Sequence, residues 1–129
     1  MLNRVQIAGN LGADPEIRAA YSGSPFVAFH VAVSDRLKDG PNGEPREYTE
    51  WIPVVVFNDT LGKIAMERLK KGSMVYLEGK FQTRKFTNDR GQTVHKTEVV
   101  LGHYHSKLLV GAPSGGHNPA ADQDGKSIG

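Results

Sequence analysis

The chain has 129 residues and a formal net charge of +2, from 16 lysines and arginines against 14 acidic residues. It contains no cysteine, which excludes disulfides, thiolate metal sites and thiol catalysis. The length predicts one domain. The sequence shows neither an apolar run near the ~18 residues of a membrane span nor a signal-peptide pattern, so we expect an intracellular protein without membrane partners.

Three strands are predicted in the first half of the chain. Residues 4–10 alternate between polar and apolar side chains, and residues 26–33 form a run of β-branched and aromatic residues. A short extended piece around residues 16–20 separates these two strands. The third strand, residues 47–57, follows a dense turn signal at 39–45, which predicts a long exposed loop.

A helix is predicted over residues 59–71, where apolar residues recur at helical spacing. Its apolar stripe comprises Leu61, Ile64, Ala65 and Leu69. Asp59 or Thr60 is expected to cap the start, and Gly72 to end the helix.

Two further strands are predicted at residues 74–86 and 93–109, joined by a hairpin-like turn at 88–91. Three strands, a helix and two strands are the plan of the OB-fold, an all-β, five-stranded, partly open Greek-key barrel with one α-helix between strands three and four. We assign residues 1–110 to this domain. Residues 111–129 are rich in small and polar residues and are predicted to be a disordered C-terminal tail.

Three aromatic residues, Trp51, Phe57 and Phe86, lie on polar, basic strands. Side chains alternate between the faces of a strand, so Trp51 and Phe57 share one face and Arg84 shares a face with Phe86. Rings that stack on bases beside cations that meet phosphates suit an unpaired nucleic acid strand. Packing of the same rings in the core is an equally good explanation of this pattern alone.

Five segments carry a family resemblance. They are GNLGADPEIR at 9–18, TEW at 49–51, VVVF at 54–57, LKKGSMVYLEG at 69–79 and TRKF at 83–86. In this order, over about residues 1–110, they resemble blocks of the bacterial-type single-stranded DNA-binding proteins.

The resemblance implies an OB-fold that assembles as a homotetramer and wraps single-stranded DNA without catalysis. It implies that Trp51, Phe57 and Phe86 are base-stacking residues, and it places the protein at the nucleoid in the cytoplasm, in DNA replication, recombination and repair. No metal or cofactor is expected. The candidate phosphate contacts are Arg4, Arg18, Arg36, Lys38, Lys63, Arg84 and Lys85.

The chain departs from the family pattern in three places. Leu37 stands where a further stacking tryptophan is expected, and Pro53 stands where relatives often carry an arginine, which predicts weaker binding or a shifted DNA path. Residues 122–129 hold two acids and no aromatic, unlike the acidic tip through which relatives recruit protein partners. Recruitment through the tip therefore does not carry over, and a plasmid, phage or organellar origin, or a truncated C-terminus, is compatible with this ending.

Two polar clusters have simpler explanations than catalysis. His103 and His105 would share a strand face but lack a nearby third metal ligand, so a pair that is hydrogen-bonded within the protein or lies at an interface is expected. The acids of the loop region have no catalytic signature and are interpreted as solvated side chains; they are Asp35, Asp39, Glu44 and Glu47.

Three alternatives to a DNA-coating protein remain at this point. The first is a replication-restart or RNA-binding OB module, which would bind DNA weakly. The second is an OB-fold nuclease, which would need a divalent cation and degrade the strand. The third is a structural oligomeric barrel with buried aromatics.

Overall fold

The computed structural model describes residues 1–20 and 22–113, with side chains through residue 111. It contains seven strands and one helix within those residues. Their bounds in chain order are β1 Val5–Leu11, β2 Glu16–Ala19, β3 Pro25–Leu37, β4 Arg46–Val56, α1 Asp59–Arg68, β5 Ser73–Thr87, β6 Thr93–Leu101 and β7 Lys107–Pro113.

The strands form one sheet in the order β1-β3-β4-β6-β5-β7, and an additional β1–β5 pairing closes five of them into a barrel. The predicted five-stranded barrel with one helix between its third and fourth strands is therefore confirmed. β5 changes pairing partners along its length: its first half pairs with β1 and β7, and its second half pairs with β6. A Cβ on Gly79, where the change occurs, would lie 2.5 Å from the Val100 carbonyl oxygen, so the close approach of the strands requires glycine there.

The main core lies inside the barrel and follows the period-2 alternation of its strands. Val31 from β3, Val54 from β4 and Leu77 from β5 are almost completely buried, together with Val99 and Leu101 from β6. The apolar area that these side chains remove from water drives the closure of the barrel. On each of these strands the intervening residues face away from the core.

The predicted fifth strand, residues 93–109, is wrong as a continuous element. β6 ends at Leu101, residues 102–106 form a bend, and β7 then pairs with β5. His105 has a positive φ of 58°, and the Ser106 hydroxyl donates to the Gly102 carbonyl oxygen at 2.9 Å, which fixes the bend. His103 and His105 therefore do not share a strand face.

Helix α1 is shorter than predicted and has a different cap. The Asn58 Oδ1 accepts a hydrogen bond from the Leu61 backbone N–H at 3.0 Å, so Asn58 is the N-cap and neither Asp59 nor Thr60 is. The helix ends at Arg68, four residues before Gly72.

At the C-terminal end, β7 reaches Pro113, three residues past the predicted domain boundary at 110. The rest of the predicted tail, including the tip at 122–129, lies outside the described residues. No helix in the described part of the chain is both long and apolar enough to cross a membrane.

We expect Asn58→Ala to lower the free energy of unfolding by about 1 kcal/mol, because the Leu61 N–H loses its capping acceptor. Thr60→Ala, the matched control inside the first turn, is expected to change it by less than about 0.5 kcal/mol. Urea unfolding followed by far-UV circular dichroism measures both. Equal losses in the two variants would contradict the assignment of the cap.

Candidate nucleic-acid interface

One continuous surface, here called the outer face, covers the side of β3, β4, β6 and the second half of β5 that points away from the core. The cross-strand register aligns its residues, because Ala32 pairs with Trp51, His30 with Pro53, and Arg84 with Lys96. Phe26, Val55, Glu98 and Val100 are buried on this side. The outer face comprises these four with Ala28, His30, Ala32, Trp51, Pro53, Lys80, Gln82, Arg84, Phe86, Val94 and Lys96.

Trp51 is the most open ring of this surface, with 58% of its area exposed. Its indole is supported from one side by Gly12, the residue after β1, where an added Cβ would overlap Trp51 Cζ3. The Gly12 N–H in turn donates to the His30 carbonyl oxygen at 3.2 Å. Trp51 therefore rests on a fixed backbone and leaves much of its surface available to a ligand.

A cavity of about 330 Å³ opens beside this ring and is here called the Trp51 cavity. Its polar lining comes from the segment after β1, from β2 and from β3. The lining includes Gly12, Asp14, Glu16, Arg18, His30 and Trp51. Arg18 donates to Glu16 Oε1 from both Nε and Nη2, at 3.2 and 3.0 Å, so this cation already has an internal partner.

Phe57 is half-buried and directly follows Val56, the last residue of β4. Its ring centroid is 5.1 Å from that of Phe26, and it packs on a second apolar cluster with Val55 and Val100. A cavity of about 380 Å³, lined by Phe57, Lys63 and Met66 among others, opens in front of it. Phe57 thus packs on this cluster and also lines a cavity that contains one cation, Lys63, and two acids, Asp59 and Glu67.

Phe86 lies near the tip of the β5–β6 hairpin, 38% exposed, with the Arg84 guanidinium 5.4 Å from its ring centroid. Arg84 Nε and Nη2 donate to the two oxygens of Glu98 at 2.7 and 3.1 Å. Glu98 is only 2% exposed, and its hydrogen bonds raise the pKa of Arg84. This bidentate pair fixes the cation against the ring.

The remaining predicted cations are dispersed. Arg36 follows the outward alternation of β3, Lys38 lies in the loop after it, and Lys85 lies on the opposite face of β5 from Phe86. Arg4 is remote, since it pairs with Glu78 at 3.2 Å in the part of the barrel formed by β1 and the first half of β5. The Arg84 guanidinium thus lies over the Phe86 ring, and Arg18 and Lys63 line the cavities beside Trp51 and Phe57, whereas Arg4 and Lys85 lie elsewhere.

Two of the three departures from the family pattern lie in the described part of the chain. Leu37 alternates to the opposite face of β3 from Arg36, at the end of the β3–β4 ladder. Pro53 continues that ladder without a register shift, and pairing of β4 with β6 begins only at the next residue, Val54. Pro53 is thus tolerated where β4 is paired on one side, because fewer ladder donors are needed there.

Local sequence patterns do not predict a role at this site for three residues: Gly12, His30 and Glu98. Alternation within the predicted second strand already places His30 opposite Phe29 and Val31. What no local pattern contains is the register that brings His30 beside β4 and Glu98 beneath Arg84.

The acidic loop has no metal-binding arrangement. Asp35, Asp39, Glu44 and Glu47 are all exposed, and the Asp39 carboxylate accepts a hydrogen bond from the Tyr48 hydroxyl. Within the described ranges no three potential ligands from histidine, aspartate or glutamate converge on one point.

We expect Gly12→Ala to displace the Trp51 ring, because the new methyl group would overlap Cζ3. The tryptophan emission should shift to longer wavelength and acrylamide quenching should increase, since Trp51 is the only tryptophan. Gly102→Ala is the matched control, because a Cβ there meets nothing within 4 Å. Unchanged emission in Gly12→Ala would contradict the close contact.

Comparison with known proteins identifies the family of this fold and surface. Residues 2–106 match the model of the single-strand binding protein family. The chain is 41% identical over 128 residues to the single-stranded DNA-binding protein of Rhizobium meliloti (strain 1021), covering 99% of this chain and 74% of that protein. It is similar in structure to the Plasmodium falciparum SSB complex with ssDNA, with a TM-score of 0.75 and 26% identity over 87% of this chain and 97% of that one. The chain therefore belongs to the single-strand binding protein family.

Proposed function

We propose that this protein binds and coats single-stranded DNA without sequence specificity, and so protects it during replication, recombination and repair. The observation that carries the proposal is Trp51, an indole 58% exposed on the barrel wall yet packed against Gly12, the residue after β1. A structural barrel with buried aromatics would not present this ring to solvent. Membership of the family supports the same function.

The proposed mechanism uses three ring-and-cation units. Trp51 and Arg18 line one cavity, and Phe57 and Lys63 line another. The Arg84 guanidinium lies over the Phe86 ring. Trp51 lies in β4, and Phe57 follows the last residue of that strand, six positions further on. In extended chain this separates them by roughly 20 Å, enough for different bases of one DNA strand to reach them. Every base has a π-face, so stacking on the rings tolerates any sequence, while the cations follow the phosphates.

No chemical step is proposed. The rings and cations only bind, and the protein acts as a coat rather than as an enzyme. Homotetramers are typical of the family, and linked binding surfaces on one strand raise the apparent affinity through effective concentration. We place this activity at the nucleoid, where single-stranded DNA is formed.

We expect poly(dT) to quench Trp51 fluorescence strongly at low salt and less at high salt, because phosphate contacts release counterions. The DNA should run intact on a gel afterwards, which separates coating from nuclease activity. Absence of quenching at low salt would refute the proposed function, and degraded DNA would favour the nuclease alternative.

Phe86→Ala should weaken binding by about 1–3 kcal/mol, the typical contribution of one stacked base. Phe81→Ala is the matched control, because Phe81 is 56% exposed on the same strand but alternates to the opposite face. Binding of a labelled oligothymidylate, measured by anisotropy, compares the two. Equal losses would show that Phe86 has no special place in the DNA path.

Lys63→Ala should lower the slope of log affinity against log salt by about 1 and leave stability unchanged, as expected for a phosphate contact. Arg84→Ala should in addition lower the free energy of unfolding by about 1–3 kcal/mol, because buried Glu98 loses its bidentate partner. Urea unfolding and salt titrations of both variants test this difference. A destabilised Lys63→Ala or a fully stable Arg84→Ala would contradict the assigned roles.

A further inference from the structure

His30 has no part in the ring-and-cation mechanism, yet it lies next to the most exposed ring. It belongs to the outer face, pairs across the ladder with Pro53, and lines the Trp51 cavity with Arg18 and Trp51 itself. The cavity, at about 330 Å³, has the size of small-molecule sites, which run from about 300 to 1,000 Å³. A base stacked on Trp51 would bring its sugar and phosphate to a cavity that the imidazole also lines.

The charged residues around His30 come from β2, from β6 and from the loop after β1. Glu16 and Arg18 act on it from β2, and Lys96 and Glu98 from β6. Asp14 lines the same cavity from the loop after β1, where its Oδ1 accepts from the Lys71 N–H at 2.8 Å. β4 contributes the uncharged Trp51 and Pro53, and the His30 neighbours on its own face of β3 are Ala28 and Ala32.

These cations are largely neutralised before DNA arrives. Arg18 is bound to Glu16, Arg84 is bound to Glu98, and Lys96 Nζ lies 3.8 Å from the same Glu98 carboxylate. A phosphate that enters the Trp51 cavity must therefore compete with carboxylates for each cation. An imidazole can respond differently, because it gains a positive charge when an anion comes close.

In the free protein the surroundings of His30 favour the neutral form of its ring. Partial burial, followed by the charges of Lys96 and Arg18, lowers the pKa of His30 below its ordinary value of 6.5. A bound phosphate would oppose this effect by stabilising the imidazolium. DNA binding and proton uptake are then thermodynamically linked.

We propose that His30 is a DNA-contacting residue of the Trp51 cavity, where it takes up a proton as a phosphate of the bound strand enters. The inference rests on the proposed function and adds a residue and a property to it. Affinity should rise as the pH falls through the pKa of His30 in the complex, and level off below its pKa in the free protein. A difference of one pKa unit between the two states corresponds to about a tenfold change in affinity.

The test is the affinity for a rhodamine-labelled oligothymidylate between pH 8 and pH 5 at constant salt, measured by anisotropy. We expect wild-type protein to bind several-fold to tenfold more tightly at the acidic end than at pH 8, and His30→Gln to lose most of that gain. His95→Gln is the matched control, because His95 pairs with Lys85 on the opposite face of the β5–β6 hairpin. It should keep the gain.

The outcomes separate this inference from the function on which it depends. Failure of wild-type protein to bind at any pH would refute DNA coating itself. Binding with the same pH profile in wild type and His30→Gln would leave coating intact and overturn the role of His30.

An NMR titration of the His30 ring in the wild-type protein, with and without oligothymidylate, needs no variant. It decides the question even if His30→Gln does not fold. A pKa raised in the complex supports the proposal, and an unchanged or lowered pKa refutes it.

Discussion

The antiparallel ladder between β3 and β4 is the constraint on which the binding surface depends. It runs from Val27 paired with Val56 to Leu37 paired with Arg46 without a register shift. A slip of one residue would turn the buried side chains of one strand outward and the outer-face residues into the core. The hydrophobic effect on the core side of this ladder therefore also holds Trp51 and His30 on the opposite side.

The electrostatics of the surface are more balanced than a DNA-binding role suggests. Near the rings, Arg18 and Arg84 each have a carboxylate partner within the protein. In the pair of Arg84 with Glu98, the carboxylate is buried and the guanidinium is partly exposed. Such pairing keeps the long side chains in place, which lowers the entropic cost of ordering them when DNA binds. It also means that stacking, rather than excess positive charge, supplies the sequence-tolerant part of the proposed affinity, in agreement with a net charge of only +2.

Local patterns were sufficient for most of the barrel and failed where backbone geometry changed. Alternation predicted the strands, and the apolar stripe predicted α1, because both periods are properties of a single segment. The break at 102–106 was missed because its signals, a positive φ at His105 and a hydrogen bond from Ser106, occur in residues that tolerate a strand. The cap was displaced by one residue because asparagine, aspartate and threonine are all good caps, and only the geometry selects Asn58.

The fold class, the family resemblance and the three candidate rings could be predicted from the sequence, since they depend on residue types and on alternation within single segments. Tertiary structure decided which cations lie beside the rings, because pairing of β5 with β6 places Arg84 on Glu98, and β1 pairs with β5 where Arg4 meets Glu78. It also decided that Gly12 supports the indole and that His30 lies in the same cavity. These contacts join residues far apart in the chain, and their register is set by packing of the whole barrel, which no single segment encodes.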